Sequence, residues 1–199
     1  MRSGVLAGSL AAVMFAMTVG LGDGQTPAPS AQAQVPAGYI PTVRKLEHGK
    51  APRMTWQLVS ESNGERTFAV IFLTGDELLA GITEFAEGQH IAAARITGIG
   101  AISHATLGWL DLEKKAYKPI VISDQVEVTS MVGDIAELNG KPSVHLHLTV
   151  AHQDGSVSGG HLIEAFTRPT LEVIVTEYPK GLHKEFDPEV GMTLIRPKS

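Results

Sequence analysis

From Val144 to Val150 the chain alternates strictly, with Val144, Leu146, Leu148 and Val150 apolar and His145, His147 and Thr149 between them. A period of two puts the apolar set on one face of an extended strand and the polar set on the other. Ser103 to Asp111 and Thr170 to Glu177 alternate too. In the latter, Leu171, Val173 and Val175 share a face opposite Glu172, Ile174 and Thr176. Further strands are predicted at Met54 to Ser60, Arg66 to Leu73, Ile91 to Ile96, Ala116 to Ile122, Gln125 to Leu138 and Met192 to Ile195. Arg66 to Leu73 is apolar on both faces and belongs inside a sheet. In Gln125 to Leu138, alternation places Val126, Val128 and Val132 on one face and Glu127 on the other.

One segment has the helical period instead. Leu78, Ile82 and Phe85, with Leu79 and Ala86 beside them, form a stripe, and Thr74-Gly75-Asp76-Glu77 before it has the form of a capping box. Asn63-Gly64, Glu113-Lys114-Lys115 and Asn139-Gly140 read as hairpin turns. Gly98-Ile99-Gly100 reads as a bend or bulge within a strand, because a dinucleotide loop needs a third glycine and a following helix. Strands joined by hairpins, with one strong helix, predict a single α+β domain built mainly on an antiparallel sheet.

His145 and His147 lie two apart on one strand face, so their imidazoles can converge. Asp154-Gly155 offers a reversal, and the chain then passes Gly159-Gly160 and presents His161, which a returning segment would bring beside the first two. The chain has no cysteine, so a metal must be held by His, Asp or Glu. Three neutral imidazoles with an open fourth position are a zinc-type arrangement, and imidazole also suits copper, nickel or iron. The bland alternative is a half-exposed histidine pair bonded to its neighbours.

The N-terminus changes the picture of where this happens. Arg2 precedes an apolar stretch from Val5 to Leu21, and a small-x-small site follows at Ala31-Gln32-Ala33. Residues 1–33 are expected to be a secretory signal, with the mature chain starting near Gln34 in the periplasm or outside the cell; an uncleaved anchor is the alternative. Residues 34–53, with Arg44, Lys45, Lys50 and Arg53, read as a tether, leaving one domain over residues 54–197 with no membrane span after cleavage. The net charge is −5, and losing Arg2 and Asp23 with the signal leaves it unchanged. An acidic domain is a poor general phosphate binder.

Taken together, Leu73 to Leu79, Ala94 to Ala101, Glu127 to Gly133, His145-Leu146-His147, Asp154-Gly155 and Gly159 to Leu162 resemble the PPC (plant and prokaryote conserved) domain family, over about Thr67 to Ile195. The resemblance implies an antiparallel sheet flanked by helices, a homotrimer, and a metal site at His145, His147 and His161. Plant members carry AT-hook segments and are nuclear. No Arg-Gly-Arg-Pro core occurs here, so nucleic-acid binding does not carry over.

Two functions follow. One is a non-catalytic trimeric module that holds a divalent metal, zinc by preference, or a small ligand. The other is a metal-dependent enzyme acting on a small anionic substrate, with Glu127 or Glu172 as acid or base and Arg95 as an anion clamp. Arg95, Glu127, Gly159, Gly160 and Glu172 are the pocket candidates, and the module is the preferred reading.

Overall fold

Two long bent strands carry the architecture. In the computed structural model, which describes Met1, residues 35–42 and residues 49–197, the elements are β1 (Ile40–Pro41), β2 (Thr55–Ser62), β3 (Glu65–Leu73), α1 (Leu78–Gly88), β4 (Ala93–Asp111), β5 (Ala116–Ile122), β6 (Val126–Leu138), β7 (Lys141–Ala151), β8 (Val157–Glu177), β9 (Lys184–Asp187) and β10 (Met192–Ile195). The stretch from Val5 to Leu21 expected to direct export, and the cleavage site expected at Ala31 to Ala33, lie outside the described residues. No helix among them is long and apolar enough to cross a membrane.

Eight strands form one antiparallel sheet in the order β1-β5-β4-β6-β7-β8-β3-β2, and β4 also pairs with β8. The pairings β4 with β6, β6 with β7, β7 with β8 and β8 with β4 therefore close a ring. Ile96, Ile102, Leu107, Met131, Ile135, Leu146 and Leu148 are fully buried in its core. The α1 stripe joins the same cluster through Leu78, Ile82 and Phe85. The Phe85 ring meets that of Phe68 edge-on at 5.2 Å. Each such fully buried side chain contributes on the order of 1.5–3 kcal/mol.

Several expectations need correction. The domain is mostly sheet, with α1 as the one helix among the described residues, so the expected flanking helices reduce to a single one. The helix does not use Thr74 as its cap. Glu77 is the N-cap, and its fully buried carboxylate accepts from the Leu79 amide at 3.1 Å, the Ala80 amide at 2.6 Å and the β8 amide of Ala165 at 3.3 Å. A longer acidic side chain can curl back over the first turn while also tying the helix to the sheet.

The predicted strands Ile91–Ile96 and Ser103–Asp111 are one strand, β4, with the expected bulge as a register shift between Gly98 and Gly100. In β6, a shift between Val128 and Ser130 inserts an extra residue and reverses the alternation. Val126 and Val128 stay inside, Met131 replaces Val132 there, and Val132 emerges 52% exposed.

The tether expected over residues 34–53 is docked in the parts described. Ile40 and Pro41 pair with Tyr117 and Ala116 of β5. The Thr42 hydroxyl donates to the Gly191 carbonyl at 2.6 Å, and Ala51 is buried.

Candidate metal centre

The strand β7 forms as its alternation dictates, with Leu146, Leu148 and Val150 buried and His145, His147 and Thr149 on the other face. Asp154-Gly155 makes the reversal: the His152 amide donates to the Ser156 carbonyl and the Gly155 amide to the His152 carbonyl, both at 2.9 Å. The returning strand β8 pairs Gly159 with Thr149, Gly160 with Leu148 and His161 with His147. Directly opposed residues of an antiparallel pair project from one face, so the third imidazole arrives beside the other two. The three rings are 5.1 to 5.5 Å apart between centroids.

One ligand nitrogen from each of His145, His147 and His161 lies within 4.8 Å of the others. A tetrahedral zinc with bonds near 2.0–2.1 Å needs nitrogens about 3.4 Å apart, a difference that small side-chain rotations cover. The donor set fits a borderline-soft divalent ion. His145 Nδ1 stands 3.4 Å from Asp134 Oδ2, which leaves its Nε2 for a metal and supplies the carboxylate that commonly orients a ligating imidazole.

Burial pushes the Asp134 carboxyl up, but hydrogen bonds with His145 and Lys184 outweigh this and hold it below the usual carboxylate range. The Lys184 ammonium, almost fully buried, lies 2.9 Å from Asp134 Oδ1 and donates to the Ser143 carbonyl at 3.0 Å. Partial burial, then the neighbouring His145, lower the His147 pKa against the opposing pull of Asp134. The shift favours the neutral imidazole, the form that can bind a metal.

Two glycines let these side chains approach. A Cβ on Gly133 would stand 2.0 Å from the His145 carbonyl oxygen, so β6 and β7 can pair this closely only without one. A Cβ on Gly108 would stand 2.9 Å from Tyr117. Gly108 lies between the β5 strand and His161, its partner in β8. The Tyr117 ring crosses the gap and stacks on His161 at 4.5 Å between centroids and 4° between planes.

The remaining sequence candidates are spread along the sheet. Arg95 is in register with Asp134, which is in register with His145, so it belongs to the row beside the cluster and is exposed. Gly159 and Gly160 sit within the β7–β8 pairing; a Cβ on Gly160 would be 2.9 Å from the Gly108 carbonyl oxygen. Glu127 pairs with Ala151 at the other end of β6 and lines a separate hollow with Asp124, His152 and Asp154. Glu172 is in register with Ile99 and Ile71 in the far half of β8. The structure therefore does not bring Glu127 or Glu172 to the histidines.

Asp134, Lys184, Tyr117 and Gly108 escaped the sequence reading. A lone Asp before the apolar pair Ile135-Ala136 was the available signal for the first. The others become neighbours only through strand order.

The family model of the Plants and Prokaryotes Conserved (PCC) domain matches residues 59–179. The chain belongs to this family. Among solved structures, this PCC-domain chain is similar to a metal-containing protein from Archaeoglobus fulgidus, at 30% identity and a TM-score of 0.62, covering 72% of this chain and 99% of that one. It is also similar to a plant- and prokaryote-conserved protein from Pyrococcus horikoshii, at 28% identity and a TM-score of 0.63, covering 73% and 96%. A third, from Bacteroides thetaiotaomicron, carries a provisional DNA-binding label and matches at 25% identity and a TM-score of 0.66, covering 72% and 96%. The bifunctional protein GlmU of Synechococcus sp. (strain JA-3-3Ab) is 31% identical over 98 residues, 49% of this PCC-domain chain; the match spans only 14% of that protein's length.

Proposed function

We propose that this PCC-domain protein is an exported, homotrimeric binding module that holds one divalent metal, zinc by preference, on His145, His147 and His161. The observation that carries this reading is the register of His147 opposite His161, with the three ligand nitrogens within 4.8 Å. The A. fulgidus relative, described as metal-containing, supports it. Bound there, the metal would offer an open coordination position to a ligand.

Self-association is supported by one exposed apolar row. Val132, Thr97 and Ile174 are in mutual register across β6, β4 and β8, and Val132 is also in register with His147. Val132, Ile174 and Ile99 are 52%, 41% and 58% exposed. Exposed apolar side chains grouped around Thr97 in this way favour a subunit contact over exposure to water. Native mass spectrometry reads the assembly, and a monomer at micromolar concentration refutes it. Export rests on Val5 to Leu21 and Ala31 to Ala33. Intact Met1 on protein recovered from the native cytosol refutes that.

The provisional DNA-binding label of a structural relative finds no support in a chain of net charge −5. The enzymatic alternative would need an acid or base at the metal. Asp134 is the carboxylate at hand, and its pairing with His145 and Lys184 favours an orienting role.

The deciding experiment is elemental analysis of mature protein loaded with zinc at neutral pH. About one ion per subunit is expected. His147→Ala removes most of it, whereas His152→Ala does not, since His152 is in the reversal and bonds Ser158 Oγ at 2.8 Å. Equal loading of both variants, or an empty parent protein, refutes the reading.

A further inference from the structure

The pairing of β7 with β8 stops at His147 opposite His161. Beyond that point β7 continues along β6, while β8 continues along β4. The strands fork, and the opening between them is a pocket of about 440 Å³ with His145 and His161 on its wall. That volume is within the range of small-molecule sites. Val144, Leu194 and Ile195, each only partly buried, line it together with the buried Leu79, Leu146 and Leu162, and the β9–β10 hairpin closes one side with Lys184 and residues 192–195.

The charges on this wall select the occupant. Among the described residues, Asp134 and Lys184 are the acidic and basic side chains lining the pocket, and they pair with each other at 2.9 Å. A divalent metal on three neutral imidazoles keeps its full charge of about +2. The site then combines one unneutralised positive centre with an apolar chamber.

We propose that the fork pocket binds a small apolar monocarboxylate, with its carboxylate on the metal and its hydrocarbon tail along Val144, Leu194 and Ile195, which are only partly buried. This rests on the three-histidine metal reading. An amine finds no free anion here, and an uncharged apolar molecule leaves the metal charge unmet. A second carboxylate on the tail would have to be desolvated against these apolar side chains.

The test is calorimetric titration of acetate, butyrate, hexanoate and octanoate into the zinc-loaded mature protein, with zinc content measured separately. Affinity is expected to rise about fourfold per methylene until the pocket is filled, the factor corresponding to about 0.8 kcal/mol per buried CH₂. Octylamine should not bind, and stripping the zinc should abolish octanoate binding. Thr193→Trp, which narrows the pocket, and Leu194→Glu, which sets a like charge against the ligand, should each weaken octanoate at least tenfold while zinc content stays unchanged. Zinc bound at one ion per subunit with acid affinity independent of chain length overturns the pocket assignment and leaves the metal site standing. Chain-length dependence that persists without zinc overturns the carboxylate-on-metal arrangement. A protein that takes up no zinc overturns both readings together.

Discussion

Tyr117 lies flat on His161, the two rings 4.5 Å apart and within 4° of parallel, although they belong to strands separated by β4. The stack is possible because Gly108, on the intervening strand, has no side chain to hold them apart. A ligating imidazole restrained in this way loses less freedom when a metal binds.

Gly108→Ala should therefore dislodge Tyr117 and weaken zinc binding about tenfold, the lower end of what a supporting residue contributes to a metal site. Tyr117→Phe keeps the ring and should bind zinc as the parent does. Competition with a chromogenic chelator measures both. Parent-like affinity in Gly108→Ala and Tyr117→Ala alike would remove any orienting role for the stack.

Asp134 serves two partners, and its replacement should separate them. Asp134→Asn should lower zinc affinity about 10- to 100-fold through His145. It should also cost stability of about 3 kcal/mol, because the Lys184 ammonium is left buried without its anion. Adding Lys184→Met should restore much of the stability in urea unfolding and none of the zinc affinity. Recovery of both together would mean that Asp134 acts only through Lys184.

Glu77 satisfies three backbone amides from a fully buried position. Glu77→Ala strands those donors and should cost about 2–4 kcal/mol by urea denaturation. Glu77→Gln, which keeps one good acceptor, should lose less. A loss below about 0.5 kcal/mol for the alanine variant would show that water replaces the carboxylate.

Acid should loosen the wall of the fork pocket first. The Val190 and Glu189 amides, followed by Arg196, hold the Asp187 carboxyl below its ordinary pKa at the turn between β9 and β10. A carboxyl depressed in the folded state contributes its stabilisation in full above the unfolded pKa of about 3.9, and loses it as pH falls through the lower folded value. Hydrogen exchange at the Glu189 and Val190 amides should therefore accelerate in acid, corrected for intrinsic rates, before that of the β7 core amides. Simultaneous loss of protection in both regions would assign acid sensitivity to the whole domain.

Local pattern alone determined the β7 strand and which of its faces carries His145 and His147. It determined the α1 stripe, the hairpin turns and the reversal that returns His161. These follow from periods of two and 3.6 residues and from turn chemistry, all of which act over a few neighbours. Only the tertiary structure decided that β4 and β8 close a ring. It alone set His161 in register with His147, laid Tyr117 across Gly108 and made Asp134 the carboxylate beside the cluster in place of Glu127 or Glu172. The β6 bulge is the sharpest case. A single inserted residue moved Val132 to the outer face and gave its core place to Met131. Alternation read along one strand cannot detect such a shift, because register belongs to the pair of strands and is selected by what the partner strand buries.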